Sequence, residues 1–585
     1  MIYKLVDYST RRLVPVEITE TPSSMSLYFG YNKNLKDDIK GCEGSKWDND
    51  NKCWTVKHPS ISTRNKIVLG YLSQGNIPGT IKDPFKHLTK PIEHFVPNRP
   101  LKEHQQVAFN KCLTRHVQIL GHDMGLGKTL VNIEIMEKVK EQSKDIFRDK
   151  DLFWVIAPKS PLMSWRYELK KWNSKVDPRL IVCDQQRIAE EIKAAKIPPK
   201  VLILDESSRF RNRTSKRTDY VFQLSELMRE HWGEDCYIIL DTGTPSPKDP
   251  TNWHAQVELI APGFLKERDA NQLRARLAHM EQQTLGEKTF NKILSWNYPE
   301  VSKLYQRLAP LVDIRFKKDC LDLPEKIYQE VELGYTANML NAARIIIETN
   351  TSAAVTLVRL RQLSDGFMKV KNDTYDNPDL CITTDLDKTD QGYTTISTPK
   401  DEQLKNDLES LEEEDETRVV IFAGFTASVD KVTKICREAG WHVLRVDGRG
   451  WHFFLNQEAS KGTDGKVKNK YSYTADQEQF QDKNLDEKIA FVANSDAGGM
   501  GITLTKSKIA IYYSNSFNAE ARIQSEDRIY RIGSRGALIK DYFHLPTDKM
   551  ILQNLKFKRD LQSLSMGQLA SELDMLINEK TKVAL

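Results

Sequence analysis

The fold of this chain is constrained most by short apolar runs that end abruptly in polar residues. Val201 to Leu204 form one such run, and Asp205 and Glu206 follow it directly. A parallel strand that is covered on both faces is continuously apolar, and ligands of open α/β sheets bind at the carboxyl ends of such strands. The run therefore predicts a buried strand that delivers two carboxylates to a ligand-binding edge.

A glycine-rich turn follows another apolar run, in "ILGHDMGLGKTLVNIEIMEKV". Gly125 and Gly127 would let backbone N–H groups approach a phosphate closely. Lys128 would reach the β and γ phosphates, and the Thr129 hydroxyl would ligate magnesium. The strict phosphate-loop pattern has glycine where His122 stands, so an ordinary glycine-rich loop between strand and helix is the alternative.

The acids after the second strand favour the phosphate-loop interpretation, because they supply what magnesium and water require. Asp205 becomes the acid on the magnesium side, and Glu206 becomes the residue that orients or activates the attacking water. The alternative is that both acids lie on a solvated loop.

Composition sets wider bounds on the protein. A chain of 585 residues is too long for one core, and a net charge of +5 permits a nucleic-acid partner without requiring one. The eight cysteines are scattered without a CxxC pair, which makes a cysteine-ligated metal site unexpected. With no signal peptide and no membrane-length apolar run, we expect a cytoplasmic location, in the host cytoplasm if the chain is phage-encoded.

The stretch "IAIYYSNSFNAEARIQSEDRIYRIGSRG" predicts a strand and then a helix that begins after the N-cap Asn518 and ends at Gly533. Three polar side chains share one face of this helix: Gln524, Arg528 and Arg531. One interpretation is a salt-bridged surface helix, since Glu526 and Asp527 lie nearby. The other is a pair of arginine fingers that contact a nucleotide bound by the other sheet.

Six motifs occur in a fixed order and carry a resemblance to a known family. They are "LKEHQ", "DMGLGKT", the Asp-Glu pair, "TGTP", "SDAGGMGITLT" and "QSEDRIYRIG". The set resembles superfamily 2 helicases and translocases of the Swi/Snf type over roughly residues 100–545. "VDIRFKKDCLDLPEKIYQEVEL" resembles the segment that joins the two lobes of that family.

The resemblance implies an α/β protein with two RecA-like parallel-sheet lobes, ATP and Mg²⁺ in the cleft, and DNA crossing both lobes. It places Gln105 at the adenine and Leu126 in the phosphate loop. Further side chains are expected at the nucleic acid: Lys159, Ser160, Trp165, Thr244 and Ser495. We expect lobe one at 96–320, lobe two at 321–545 and a C-terminal helical segment at 546–585.

Two serines depart from the family pattern after the Asp-Glu pair. Ser207 stands where the family has alanine or glycine, and Ser208 stands where it has a histidine that links the nucleotide site to motifs III and VI. A serine hydroxyl can still form hydrogen bonds, but its reach is shorter. This puts the coupling of ATP use to movement in question, but not hydrolysis itself.

Residues 1–95 form a separate unit, which is expected to be a small α+β domain. "KWDNDNKCWTV" alternates around an Asp-Asn turn and predicts a hairpin that carries Trp47 and Trp54. The pattern is similar to a HARP domain, an accessory module of family members that act on forked or branched DNA. Exposed aromatics and lysines would suit stacking on bases. In the alternative, the tryptophans belong to the core of a structural domain.

An insert at about 449–473 departs from the family core and predicts a hairpin around "TDGK". In one hypothesis its lysines hold phosphates while Trp451, Phe453 and Phe454 act as a wedge beside the last base pair. In the alternative, the aromatics pack on lobe two and the lysines point into water.

Together these features predict an ATP-dependent DNA helicase or translocase that acts on forked or branched DNA in replication, recombination or repair. Its modest size and the absence of histone-reading modules favour a compact bacterial or phage member over a chromatin remodeller. No obligate protein partner is expected. The alternatives are an RNA helicase and a nucleotide-switched binding protein that does not move.

Overall fold

The computed structural model describes most of the chain. The described ranges are 2–7, 12–21, 23–69, 84–143, 147–243, 249–285, 288–349, 353–369, 387–388, 393–456, 480–481, 487–494, 502–531 and 533–556. Several predicted features lie outside them: Thr244, Ser495, the "TDGK" turn with its lysines, and residues 557–585.

The N-terminal module (2–69) is an antiparallel sheet with two helices. Its strands are β1 (Ile2–Asp7), β2 (Arg12–Thr21), β3 (Ser24–Phe29), β4 (Ser45–Asp48) and β5 (Cys53–Lys57), in the order β1-β2-β3-β5-β4. Its helices are α1 (Lys33–Lys40) and α2 (Ile61–Leu69). The predicted hairpin is β4–β5, in which Trp47 pairs with Trp54 across the strands.

Lobe one contains a parallel sheet of six strands in the order β13-β6-β10-β9-β7-β8. Its strands are β6 (Val117–His122), β7 (Phe153–Ala157), β8 (Arg179–Val182), β9 (Val201–Asp205), β10 (Tyr237–Asp241) and β13 (Val312–Arg315). Its helices are α3 (Glu103–Arg115), α4 (Lys128–Gln142), α5 (Asp149–Leu152), α6 (Lys159–Lys171), α7 (Gln185–Ala194), α8 (Lys216–Trp232), α9 (Trp253–Ile260), α10 (Ala270–Leu277), α11 (Tyr298–Leu308) and α12 (Lys317–Cys320).

Lobe two contains a second sheet of seven strands in the order β14-β23-β22-β18-β21-β19-β20. Its strands are β14 (Lys326–Glu332), β18 (Arg418–Ala423), β19 (His442–Asp447), β20 (Gly450–Phe454), β21 (Ile489–Asn494), β22 (Ile509–Tyr512) and β23 (Ala537–Phe543). Its helices are α13 (Ala337–Thr349), α14 (Ala353–Ser364), α15 (Pro399–Glu413), α16 (Thr426–Glu438) and α17 (Ala519–Ile529). A small sheet joins β15 (Phe367–Lys369), β16 (Asp387–Lys388) and β17 (Tyr393–Thr395).

Both large sheets are covered on their two faces, as the continuous apolar runs predict. Val201 to Leu204 are all buried, and alternate residues of β9 enter different hydrophobic clusters on the two sides of the sheet. The same arrangement holds for β18 in lobe two. The fold is therefore α/β with two RecA-like parallel-sheet lobes, preceded by a small α+β unit.

The aromatic part of the predicted insert is an edge strand of lobe two. β20 pairs with β19 in antiparallel register, opposite to the other neighbouring pairs of this sheet. Phe453 is buried in the core of the lobe, and the Trp451 ring lies 6.4 Å from the Phe491 ring. The packing of these two side chains on lobe two favours the alternative, in which the aromatics of the insert pack there and do not act as a wedge.

Two features of the fold are absent from the sequence prediction. β11 (Ala278–Leu285) and β12 (Lys288–Trp296) form a two-stranded antiparallel ribbon that is separate from the lobe-one sheet. Strands β1 and β2 extend the module sheet on its N-terminal side. Residues 546–556 are helical, and Ile551, Leu552 and Leu555 are buried on the side of this helix that faces lobe two. Among the described residues, no helix combines the length and apolar character needed to cross a bilayer.

Candidate nucleotide site

A cavity of about 550 Å³ lies between the two lobes. The side chains and glycines predicted to hold the nucleotide line it from both sides: Gln105, Gly125, Gly127, Lys128, Thr129, Asp205 and Glu206 from lobe one, and Arg528 and Arg531 from lobe two. The fold thus brings together residues that are separated by up to about four hundred positions in the sequence.

The phosphate loop connects β6 to α4 through two glycines in the left-handed region. Gly125 has φ +85° and Gly127 has φ +78°, where other residues are strained. A Cβ on Gly127 would lie 2.3 Å from Nε2 of Gln105, so a side chain at that position would displace the end of the Gln105 side chain. The Lys128 ammonium donates to the His122 carbonyl at 2.6 Å, which holds it across the loop that a phosphate would enter.

His122, the departure from the phosphate-loop pattern, points away from the cavity. Its ring is fully buried, and Nε2 lies 2.6 Å from Oδ2 of Asp313 on the neighbouring strand β13. Lys111 donates to the other oxygen of the same carboxylate at 2.6 Å. Burial alone would raise the pKa of Asp313, but Lys111 and His122 hold that pKa well below its usual range. His122 is therefore part of a buried polar cluster behind the loop, together with Asp313 and Lys111.

Asp205 lies at the end of β9 with its carboxylate turned toward the cavity. Burial raises the pKa of Asp205, while a hydrogen bond from Trp165 and the charges of Lys128 and Arg528 oppose this rise. The Trp165 indole donates to Oδ2 of Asp205 at 2.9 Å and is itself buried. The sequence analysis expected Trp165 at the nucleic acid, and in the structure its ring lines the nucleotide cavity and hydrogen-bonds to Asp205.

A second buried acid, Asp241, was not predicted at this edge. It ends β10, in register with Asp205 on the adjacent strand. Burial and then the Asp205 charge raise the pKa of Asp241 to about 8, and Asn132 of α4 donates to its carboxylate. Asp241 directly precedes "TGTP", so its position at a strand end was the signal available in the sequence.

Glu206 has a left-handed backbone, with φ +58° and ψ +51°. A short 3₁₀ helix, Ser207–Phe210, follows it. The two serines that depart from the family pattern are both buried. The Ser207 hydroxyl donates to Oε1 of Gln256 at 3.1 Å, and the Ser208 carbonyl accepts from Arg211 at 3.1 Å.

Gln105 lies against the phosphate loop, at the side of the cavity that the resemblance assigns to adenine. Its amide nitrogen donates to the Leu126 carbonyl at 3.0 Å, and its oxygen accepts from the Lys102 backbone at 3.0 Å. Gln105 therefore contacts the backbone of Leu126, and the side chain of Leu126 is buried. The contact of Gln105 with adenine stays a prediction.

Lobe two contributes the predicted arginines from the end of α17. The N-cap is Asn518 as predicted, and its side chain accepts from Ala521 at 3.2 Å. The helix ends at Ile529, four residues before Gly533. Arg528 and Arg531 line the cavity, whereas Gln524 is half-buried outside it.

Lys317, which sequence reasoning missed, bridges the two lobes next to the phosphate loop. The Lys317 backbone N–H donates to Asp123 of the phosphate loop at 2.8 Å. Its ammonium lies 2.7 Å from Oδ1 of Asp527 and donates to the Tyr530 carbonyl at 2.9 Å, both in lobe two. Burial lowers the pKa of Lys317 to about 8, although Asp527 opposes this shift. One residue thus contacts the phosphate loop and the arginine helix together.

The residues present fit a magnesium-bound nucleoside triphosphate. The half-buried carboxylate of Asp205 and the Thr129 hydroxyl supply the oxygen ligands that Mg²⁺ prefers, and both line the cavity. Lys128 and the loop N–H groups would hold phosphates, and the arginines would face the terminal phosphate from lobe two. Bound magnesium would neutralise phosphate charge.

The predicted nucleic-acid side chains are only partly placed. Lys159 is exposed at the start of α6, and Trp47 is 43% exposed on the module. Trp54 is half-buried, with its ring 5.7 Å from that of Trp47 and packed against the module core. Thr244, Ser495 and the side chain of Ser160 lie outside the described part of the chain.

Comparison with known proteins agrees with the architecture. Residues 101–197 match the family described as an SNF2-related domain, and residues 400–533 match the helicase conserved C-terminal domain. The first match lies in lobe one and the second in lobe two. Both matches agree with the resemblance to superfamily 2 helicases and translocases of the Swi/Snf type that the sequence motifs indicate.

Similar proteins include an ATPase of a chromatin-remodelling complex and a regulator of chromatin. The chain is 24% identical to the ISWI chromatin-remodeling complex ATPase ISW1 of Saccharomyces cerevisiae, over 81% of this chain and 40% of that protein. It is 23% identical to the human SWI/SNF-related matrix-associated actin-dependent regulator of chromatin subfamily A member 1, over 83% of this chain and 45% of that protein. The chain thus spans less than half the length of these relatives.

A solved structure is also similar, the Sulfolobus solfataricus SWI2/SNF2 ATPase core in complex with dsDNA. The sequence identity is 20% and the TM-score is 0.34, over 83% of this chain and 97% of that one.

Proposed function

We propose that the protein is a DNA-dependent ATPase that translocates on DNA and acts on forked or branched substrates. The cleft carries this proposal: phosphate-binding and hydrolytic groups line one side, and two arginines line the other. A nucleotide bound by both lobes favours a closed cleft, and loss of the γ-phosphate favours an open one. Cycles of closure and opening would move the lobes along a strand.

Each residue of the cleft has a place in this cycle. Lys128 and Thr129 bind the phosphates and magnesium with Asp205. Glu206 orients or activates water, and Arg528 and Arg531 stabilise the charge that develops on the transferred phosphate. These arginines act only when lobe two approaches, so hydrolysis depends on closure.

The module within residues 1–95 supports the branched-DNA part of the proposal. Trp47 is exposed on an edge strand, and Tyr31 is 84% exposed on the same module with the Lys36 ammonium 5.8 Å from its ring. Exposed aromatics with adjacent lysines suit unpaired bases, which stack on aromatic rings. Lobe one at 96–320 and lobe two at 321–545 would supply the motor, and 546–585 a C-terminal helical segment.

The decisive experiment compares ATPase stimulation by single-stranded, duplex, forked and four-way DNA, and by RNA, at one salt concentration. We expect DNA to raise kcat, and forked or four-way DNA to raise it most. Stimulation by RNA alone would favour an RNA helicase. Slow hydrolysis that no nucleic acid stimulates would favour a nucleotide-switched binding protein.

A point substitution tests the module more sharply than its deletion, because deletion would uncover buried residues of lobe one. Trp47→Ala should weaken forked-DNA stimulation while duplex stimulation persists. Leu227→Ala is a control, since Leu227 is equally exposed at 43% but lies on lobe one. An unchanged preference in Trp47→Ala would assign that side chain a structural role.

A further inference from the structure

The N-terminal module is attached to lobe one through a buried ion pair. Lys66 on α2 is 3% exposed, and its ammonium lies 3.6 Å from Oε1 of Glu258 on α9. It also donates to the Glu267 carbonyl at 2.9 Å. The Ser62 hydroxyl donates to Oε2 of Glu258 at 2.6 Å. A charge pair withdrawn from water in this way holds the two units in a defined geometry, since losing either partner leaves a buried charge.

The loop after α9 is shaped for this attachment. Gly263 has φ +84°, and a Cβ there would lie 2.9 Å from Cβ of Asn65 and 3.0 Å from the Ser62 carbonyl. Asn65 also donates to the Pro262 carbonyl at 2.8 Å. Glycine at 263 therefore lets α2 approach the backbone of lobe one closely.

The other side of α9 meets the hydrolytic site. Gln256 accepts the Ser207 hydroxyl, and both side chains are fully buried. Ser207 follows Glu206, whose left-handed backbone is unfavourable for a residue with a side chain. Such a conformation persists when its surroundings hold it in place. The Ser207–Gln256 hydrogen bond is one of the contacts that hold this turn.

Gln256 and Glu258 are two residues apart on one short helix, so they point about 200° apart around its axis. All eight residues of α9 are buried, which restricts the helix to moving as a unit. A displacement of the module that shifts Glu258 must therefore also shift Gln256.

We infer that helix α9 connects the N-terminal module to Glu206, so that the module's engagement of branched DNA changes the rate of ATP hydrolysis. Gln256 is a positioning residue in this connection, acting on Glu206 through Ser207. The inference rests on the proposed function for the branched-DNA signal. The connection itself can be tested without DNA.

The DNA-free test uses Lys66→Met, which removes the ammonium and keeps an unbranched side chain. Amide hydrogen exchange is measured at residues 205–211 and, as a folding check, at β3 and β5 of the module. We expect faster exchange at 205–211 in Lys66→Met. Arg64→Met is the matched control, because Arg64 is on the same helix but pairs with Glu20 inside the module. Unchanged exchange at 205–211 would overturn the connection. If Lys66→Met loosens the module sheet itself, Ser62→Ala takes its place.

The functional test measures kcat, and KM for ATP, with a blunt duplex and with a fork of the same length. Wild-type protein should hydrolyse ATP faster on the fork. In Lys66→Met the ratio of fork to duplex kcat should fall to within ~2-fold of one, with fork affinity retained, since couplings of this kind reach ~5-fold or more. A fork-to-duplex kcat ratio of one in the wild-type protein would instead contradict the proposed branched-DNA function. If Lys66→Met keeps the wild-type fork-to-duplex kcat ratio, only the inferred connection through α9 would be contradicted.

The positioning role of Gln256 predicts a loss in kcat without a change in KM. Ser207→Ala and Gln256→Met should each lower kcat ~10-fold on every DNA, and the double variant should lose little more, because both remove one hydrogen bond. Ser207→Thr keeps the hydroxyl and should retain most of the rate. Equal rates for Ser207→Ala and wild type, or additive losses in the double variant, would overturn this role.

Discussion

Placing glycine at position 122, as the strict phosphate-loop pattern has it, should harm this protein. The His122 ring is fully buried, and its Nε2 is 2.6 Å from the Asp313 carboxylate. His122→Gly would remove one of the groups that hold this charge and would leave a cavity behind the loop. Lys128 donates to the carbonyl of the same residue, so the loop itself would also lose support.

The expected loss of folding free energy in His122→Gly is the sum of three contributions. A hydrogen bond to a charged group contributes ~1.5–3 kcal/mol net. A large-to-small change in a core costs ~2 kcal/mol or more, and glycine within a strand costs ~0.5–1 kcal/mol. His122→Gly should therefore cost about 4–6 kcal/mol. Asp313→Asn keeps the shape but loses the charge, and should cost about 2–3 kcal/mol. In the double variant, the two losses should overlap by about 1.5–3 kcal/mol.

Amide hydrogen exchange at β6 and β13 is the suitable assay, because a chain of several domains does not unfold in one two-state step. His279→Gly and Asp319→Asn are controls, since both residues are exposed and occur in the same lobe. Losses at 122 and 313 that simply add, within ~0.5 kcal/mol, would refute the paired role of these residues.

The pH dependence of the Asp313 contribution has a definite sign. Its pKa is held below its usual range in the folded protein, so the folded state binds fewer protons than the unfolded state near that range. The contribution is present above about pH 4 and is lost as the pH falls below it. The difference between wild type and Asp313→Asn should thus stay constant from about pH 5 to 8 and shrink under more acidic conditions.

Three predictions concern the cleft. Lys128→Ala should abolish productive ATP binding, whereas Glu206→Gln should bind ATP but hardly hydrolyse it. Equilibrium nucleotide binding and turnover rates would measure both effects. Near-wild-type turnover in Glu206→Gln would contradict the role of Glu206 in orienting or activating water. Arg528→Ala and Arg531→Ala should each lower kcat at least ~10³-fold with little loss of nucleotide affinity, and a large loss of affinity with unchanged chemistry would contradict this. Lys317→Met should lower kcat ~10-fold, because it removes the ammonium that joins the linker to the arginine helix; the exposed Lys318→Met is its control, and equal kcat values for the two variants would contradict it.

Elements with strong local signals were predictable from the sequence. The apolar run at 201–204 and the hairpin around Trp47 and Trp54 depend on residues close together in the chain. The ribbon β11–β12 was missed because its strands carry polar residues on both faces, as in Gln282 and Gln283, and this hides the alternation that marks a half-buried strand. Strand β2 contains Pro15, which argues against a strand within the sheet interior.

In the nucleotide site, too, local motifs could be predicted from the sequence and long-range contacts could not. Motif spacing identified Lys128, Asp205 and Glu206, because a phosphate loop and a strand end are local features. The contacts that support them were not predicted. Trp165 hydrogen-bonds to an acid 40 positions away, and Asp313 reaches His122 over 191 positions. No local pattern specifies such partners, since sheet order alone makes them neighbours.

Phe453 decides between the two hypotheses for the lobe-two insert. Its side chain is 6% exposed, it pairs with Leu444 across the sheet, and its ring stacks on His442 at 5.9 Å. A deletion of the insert that starts at residue 452 would remove three of the five residues of β20. Such a deletion could therefore not separate a wedge from a structural role. Phe453→Ala should instead destabilise lobe two by about 3–5 kcal/mol.

Because that loss weakens the fold rather than a DNA contact, ATPase and any strand separation should fall together on warming and recover together on cooling. Leu455→Ala, at a neighbouring side chain that is 39% exposed, should change neither activity. Activity assays at two temperatures, with hydrogen exchange at β19, would measure this. A selective loss of strand separation in a Phe453→Ala protein of normal stability would contradict the buried role and return this side chain to the DNA.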